Sequence, residues 1–187
     1  MLNKITEFVQ ELPYMKALGY DPFMIFAQCS LETTTEFPKG SGKWKSFSCD
    51  ASKVNNFAGM YNTKDWRGQV ADLKTGDYFI QDDQSVLKTI YPGFKIYPTI
   101  RAFFDDYDAY VKAKFPYSYE HRAEYKAYFN GLMNVIERRP ATDDRPALIE
   151  AIWPSFSSTI TYAYDNIKNY EHLRDTQPDL YAILMAA

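Results

Sequence analysis

The sequence predicts an α+β fold, mainly α, with a small β-hairpin lobe beside the helices. Apolar residues recur at helical spacing at the amino terminus, from Pro22 onward and again from Pro98. Between them, residues 70 to 97 carry alternating or β-branched stretches punctuated by Gly76, Asp82-Asp83 and Pro92-Gly93, the pattern of antiparallel hairpins. A chain of 187 residues that is 46% hydrophobic and 24% charged is long enough to bury a core without disulfides or metals.

In order along the chain, residues 3 to 18 place Ile5, Phe8, Val9, Leu12 and Met15 on one helical face, with a break expected at Pro13 and a stop at Gly19. Asp21 is suited to cap the next helix and Pro22 to open it. Phe23 to Ala27 then make that helix apolar nearly all round, so it is expected at the buried centre. Residues 34 to 50 have loop chemistry, and Val54 to Met60 form a short apolar element before the hairpin region.

From Pro98, Ile100, Phe103, Phe104, Tyr107, Tyr110 and Val111 share a face that leaves out Asp105, Asp106 and Asp108. A further helix is expected over 118 to 137 and a shorter one over Ala147 to Trp153. The division expected is a domain over 1–153 and a carboxy-terminal helical extension over 154–187, ambiguous at first and helical in its closing LYAILMAA. Such an apolar helix either closes over the core or docks on a partner, so self-association or contact with a phage particle is the sharper expectation for 154–187.

Charge and composition exclude several classes of function. A net charge of −3, with no run of Lys or Arg able to follow a phosphate backbone, argues against a nucleic-acid partner. Cys29, Cys49, His121 and His172 form no metal-ligand spacing, so no metal is expected. MLNKITEFVQELPYMK is amphipathic and lacks the apolar stretch of a secretory signal, and no apolar run reaches transmembrane length, so no membrane partner is expected. Aromatics make up 17% of the chain, more than a core of this size usually needs, and rings interleaved with polar groups on a surface suit carbohydrate.

Glu32 stands at the end of the apolar helix, one turn beyond Gln28 and Cys29. There the negative end of the helix dipole and partial burial would both disfavour its anion, as a general acid working near neutral pH requires. The plainer alternative is that Glu32 is the first solvated residue after the helix. Glycosidic cleavage commonly needs a second carboxylate, and Asp65, Asp72, Asp77, Asp82 and Asp83 all lie in or beside the hairpin lobe, where composition does not choose among them.

The segment PFMIFAQCSLETT, Pro22 to Thr34, resembles the block that carries the catalytic acid in glycoside hydrolase family 73, the peptidoglycan endo-β-N-acetylglucosaminidases related to the flagellar-rod hydrolase domain. VNNFAGMYNT (Val54 to Thr63), KTGDYF (Lys74 to Phe79) and FKIYPTIRAFFDDYDAYV (Phe94 to Val111) resemble three further blocks in the family's order. PATDDRPALIEAIW (Pro140 to Trp153) is a weaker echo of the closing segment. Any one block would be weak, whereas four in order across residues 22 to 111 are not readily accidental.

The resemblance implies a lysozyme-like fold that splits the β-1,4 bond between N-acetylglucosamine and N-acetylmuramic acid without a cofactor. It also implies action at the cell wall or extracellularly, and this chain, with no signal, would then be phage-delivered or holin-released as an endolysin is. By position Glu32 matches the general acid, Asp77 the hairpin carboxylate and Tyr97 the tyrosine lining the cleft. Asn56 and Phe57 match the block shaping the substrate floor, where a purely structural role suits Phe57 equally. Tyr61 and Trp66 are added here as candidates for stacking on sugar rings.

Two departures stand out. Thr33-Thr34-Thr35-Glu36 and a loop to Trp44 replace the Gly-Trp-Gly that usually follows the acid, and Asp77 is one methylene shorter than the usual Glu. A muramidase or lytic transglycosylase of the same fold, or a wall-binding or assembly module with weak turnover, therefore stays open beside the glucosaminidase.

Overall fold

The computed structural model describes residues 4–33, 53–71, 76–80, 86–90, 93–133, 135–139, 148–151, 156 and 161–186. Its elements follow as helix α1 (Lys4–Ala17), α2 (Pro22–Thr33), strands β1 (Val70–Ala71), β2 (Gly76–Ile80), β3 (Val86–Ile90) and β4 (Phe94–Lys95), α3 (Ile100–Lys114), α4 (Pro116–Glu120), α5 (Tyr125–Gly131), β5 (Val135–Arg139), β6 (Leu148–Ala151), α6 (Tyr162–Thr176) and α7 (Pro178–Ala186). This is an α+β architecture dominated by helices, as the sequence predicts.

Helix α2 is the axis of the core, every residue from Asp21 to Ser30 being buried. Its start is fixed as the Asp-Pro pair implies: the Asp21 carboxylate accepts from the backbone N–H of Phe23 at 2.8 Å and Met24 at 3.0 Å. Tyr170 donates to the other carboxylate oxygen at 2.9 Å, so the cap is also tied to α6. Before it, α1 ends where expected: Gly19 has φ +89°, and Arg122 packs over it while donating through Nε to the carbonyl of Leu18 at 2.8 Å.

The expected break at Pro13 does not occur, since α1 runs unbroken from Lys4 to Ala17. Pro13 lies on the exposed face, so its missing hydrogen bond falls on the side water reaches, while Phe8, Leu12 and Met15 anchor the opposite face without any exposed area.

Helix α3 presents the apolar face read from its sequence, with Ile100, Phe103, Phe104, Tyr107 and Val111 buried. Thr99 caps it, accepting from Ala102 N–H at 3.1 Å. Phe115, kept out of the helical region by the following proline, separates it from α4.

The single helix expected over 118 to 137 is replaced by α4, a turn at 121–124, α5 and strand β5. The turn has a function in packing: the carbonyl of Arg122 accepts from Asp21 N–H at 2.9 Å. The helix expected over Ala147 to Trp153 is instead β6, antiparallel to β5 with Val135 opposite Ala151. Short apolar runs of this length suit helix or strand equally, and here cross-strand pairing decides.

The hairpin region over 70 to 97 does form strands. β2 pairs antiparallel with β3 and β1 with β4, Asp77 lying opposite Thr89 and Val70 opposite Lys95.

Residues beyond 154 join the same core. Tyr162, Ala163, Tyr170, Leu173 and Leu184 belong to one buried cluster with Phe8, Phe26, Phe57 and Phe103, so the expected boundary after 153 is not a boundary of packing. Helix α6 lies along α2, with Asn169 Nδ2 donating to the Ala27 carbonyl at 2.7 Å and to Ser30 Oγ at 3.1 Å. Helix α7 covers the start of α2, where the ring of Tyr181 meets Phe23 edge-on at 5.0 Å. No helix among the described residues is long and apolar enough to cross a membrane.

Candidate active site

Glu32 lies in the last turn of α2 and is solvent-accessible. Burial of its surroundings nevertheless raises its carboxyl above the usual carboxylate range, opposed by the hydroxyl of Tyr162 nearby. Cys29, one turn back, is fully buried, and its thiol is pushed well up by burial and by the neighbouring Glu32 charge. It belongs to the core.

Behind Glu32 runs a chain of buried polar groups drawn from four helices. Tyr162, at the start of α6, accepts from Gln28 Nε2 of α2 at 2.9 Å. Tyr107 of α3 donates to Gln28 Oε1 at 2.5 Å, and its oxygen lies 2.5 Å from that of Tyr128 on α5. The 2.5 Å contact is the length of an O–H···O bond and the 2.9 Å contact that of N–H···O, which fixes the orientation of the Gln28 amide. Gln28 thus joins the phenols of Tyr107 and Tyr162, with Tyr128 extending the group on the Tyr107 side. Burial pushes the hydroxyls of Tyr107, Tyr128 and Tyr162 upward, so all remain protonated donors.

The other expected site residues gather elsewhere, around β4 and the start of α3. Asn56 and Phe57 are completely buried and offer no surface to a sugar. Asn56 is a structural clamp: its Nδ2 donates to the carbonyls of Met60 at 2.8 Å and Lys95 at 3.0 Å, while its Oδ1 accepts from Met60 N–H at 2.8 Å. Phe57 packs between Phe8 at 4.6 Å and Phe103 at 5.6 Å between ring centroids.

Tyr97 retains only 2% of its surface, and its hydroxyl donates to Asp106 at 2.6 Å. It holds the lobe to α3 and does not line a cleft. Lys95 reaches the same Asp106 oxygen at 2.8 Å and lies 5.0 Å from the centre of the Trp66 ring. Trp66 is half-buried, bonded through its indole N–H to the Gln69 carbonyl and stacked edge-on against Tyr97. Tyr61 is exposed and leans on Phe94 at 4.9 Å. These two retain surface for a ligand.

The backbone of Asp77 is fixed by β2, but its side chain lies outside the described residues, as do Asp72, Asp82 and Asp83 altogether. Asp65 is exposed. Among the described residues no cluster of His, Cys, Asp and Glu could hold a metal ion.

No protein-family model and no curated protein matches this sequence. The fold has a solved likeness. It is similar to the crystal structure of a peptidoglycan hydrolase mutant from Sphingomonas sp. A1, with a TM-score of 0.53 over 94% of this chain and 93% of that one, at 14% sequence identity. At this identity the match is a likeness of fold.

Sequence reasoning missed Tyr162, Tyr107 and Tyr128 as partners of the site. A signal was present in α6, where Tyr162, Asn166 and Asn169 put polar groups on one helical stripe that also carries Tyr170 and Leu173. Asn166 is fully buried. A polar stripe turned inward has to meet polar partners.

Proposed function

We propose that the protein hydrolyses the glycan strands of bacterial peptidoglycan, with Glu32 as general acid. The observation that carries this reading is a solvent-reachable carboxyl at the end of a buried helix, raised by the surrounding protein. In the reaction, the proton of Glu32 passes to the bridging oxygen as the bond from that oxygen to the anomeric carbon breaks. The leaving sugar departs as an alcohol, and water supplies the new hydroxyl at the anomeric carbon.

The fold likeness to a peptidoglycan hydrolase supports the substrate class. The motif blocks favour cleavage after N-acetylglucosamine, with Asp77 as the second carboxylate, at the cell wall or outside the cell. Tyr61 and Trp66, which keep exposed ring surface, are the candidates for sugar contact.

The test is turbidity clearing of purified peptidoglycan by wild type, Glu32→Gln and Asp77→Asn, with circular dichroism to confirm folding. The first substitution is expected to abolish clearing and the second to reduce it at least tenfold. A folded Glu32→Gln that clears at the wild-type rate refutes the reading. Mass spectrometry of the products, locating the new reducing end or a 1,6-anhydro ring, separates glucosaminidase from muramidase and transglycosylase.

A further inference from the structure

An indole serves a sugar best when it is already held still, because a ring that must be ordered on binding loses part of what stacking gains. We propose that Asp106 of α3 is the positioning residue for Trp66, holding the indole through Lys95 and Tyr97 as a platform on which the C–H face of an N-acetylated hexose stacks. The inference rests on a glycan being the substrate and goes beyond it by giving a role to a carboxylate that takes no part in the acid chemistry.

The indole is braced on several sides. Its N–H donates to the Gln69 carbonyl at 3.0 Å, and the same carbonyl accepts from the Ile96 N–H at 3.0 Å, which ties the ring to the segment just after β4. The Lys95 ammonium lies 5.0 Å from the centre of the indole, and the Tyr97 ring meets it edge-on at 5.3 Å. Gly68 completes the seat: a Cβ there would collide with Cζ2 and Cε2 of the indole, so the chain comes this close only as glycine. Trp66 is nonetheless only half-buried, which leaves ring surface for a ligand.

Two of these braces end on one atom. Asp106 Oδ2 accepts from Lys95 Nζ at 2.8 Å and from the Tyr97 hydroxyl at 2.6 Å. Neither side chain has room to wander, Lys95 being 5% and Tyr97 2% exposed. Burial and the adjacent Asp106 push the Tyr97 hydroxyl upward, so it stays a protonated donor. The backbone of Lys95 is fixed independently, its carbonyl accepting from Asn56 Nδ2 at 3.0 Å. A buried ammonium that loses its counter-charge is driven toward water, and the Lys95 side chain would then leave the indole.

The test uses the whole chain carrying Glu32→Gln, so that a ligand is bound and not cut, with N-acetylchitotetraose as the probe. Calorimetry measures binding, circular dichroism checks folding, and the change in tryptophan fluorescence on binding reports on the indole. Trp66→Ala is expected to weaken binding about tenfold and to remove most of the fluorescence change. Asp106→Ala should weaken it about fivefold, and Asp106→Asn, which keeps an acceptor oxygen without the charge, should weaken it less. Trp66→Ala combined with Asp106→Ala should bind no more weakly than Trp66→Ala alone, because Asp106 acts through the indole. A residue that only supported the fold would cost binding in both backgrounds.

A folded Asp106→Ala that binds as tightly as its parent overturns the proposal, as does a double variant whose losses multiply. If Asp106→Ala does not fold, Lys95→Met decides, and undiminished binding there overturns it equally. Undiminished binding by Trp66→Ala, or no binding by the parent, overturns the platform, while wall clearing by the wild type shows separately whether the hydrolase reading stands. If Glu32→Gln still clears walls, the acid assignment falls and the binding comparison still decides the role of Asp106.

Discussion

Replacing Asn56 separates a structural residue from a substrate contact. In Asn56→Ala, the Met60 N–H loses its acceptor inside the protein, and the carbonyls of Met60 and Lys95 each lose a donor. The Met60 carbonyl keeps a second partner, the Lys95 N–H at 3.0 Å, so only the amide is surely orphaned. An unsatisfied buried donor costs ~1–3 kcal/mol and each of the other two lost bonds ~0.5–1.5 kcal/mol, a sum of about 2–6 kcal/mol. At ~2–4 °C per kcal/mol for a domain of this size, the melting temperature should fall by roughly 4–24 °C. Urea and thermal unfolding followed by circular dichroism measure it.

Asn56→Asp sharpens the result. Its carboxylate would face two carbonyl oxygens, so it should be at least as destabilised at pH 7 and partly rescued at pH 4, where the protonated acid can donate. A change below ~1 kcal/mol in Asn56→Ala, accompanied by lost wall clearing, would refute the clamp and restore Asn56 to the substrate floor.

Glu32→Gln should melt at a higher temperature than wild type at neutral pH and not at pH 4. The raised folded carboxyl makes stability greatest below the unfolded value and lost as pH rises through the folded one, and the amide removes that loss. Equal melting temperatures at both pH values would contradict the cause given for the shift. Removing residues 177–187 uncovers Phe23 and deletes Leu184, which is only 2% exposed, so the truncated chain should be destabilised and aggregation-prone. A stable, soluble truncation with only its oligomeric mass altered, read by light scattering, would instead assign α7 to partner contact. Pro13→Ala should stabilise by about 1–3 kcal/mol in urea unfolding, because it restores a hydrogen bond to an otherwise continuous helix.

The elements legible in sequence are those whose reasons are local. The Asp21-Pro22 start, the Gly19 stop, the apolar face of α3 and the antiparallel β2–β3 pair are each dictated by residues close to one another in sequence. The elements read wrongly are decided at a distance. Residues 135–139 and 148–151 become strands because they find each other, and Pro13 stays helical because Leu12 and Met15 are gripped by the core.

The candidate site divides the same way. Glu32 could be picked out from its place on a single helix. The polar groups that gather on Gln28 could not, since Tyr162 meets Gln28 across 134 residues of sequence and Tyr107 meets it across 79. The blocks around Asn56 and Tyr97 pointed to a sugar floor, but full burial and complete hydrogen bonding make both of them fasteners of the lobe.

The surplus of aromatic residues finds its explanation in the same core. Phe8, Phe23, Phe26, Phe57, Phe103, Phe104 and Phe129 are wholly buried, so among the described residues most rings serve packing, with Tyr61, Tyr117 and Tyr164 exposed. Building a core partly from tyrosine creates a problem that phenylalanine does not, because each buried hydroxyl needs a partner. Tyr170 meets this need at the Asp21 cap and Tyr97 at Asp106. Tyr107 meets it at Gln28 and Tyr128, and Tyr162 meets it by accepting from Gln28 Nε2. Tyr20 shows the alternative, a buried hydroxyl with no hydrogen-bond partner, its ring packed against the edges of Tyr119 and Tyr128 and near Arg122. Had the rings around Gln28 been phenylalanine, the packing would be nearly the same and the buried Gln28 amide would lose the partners that satisfy it.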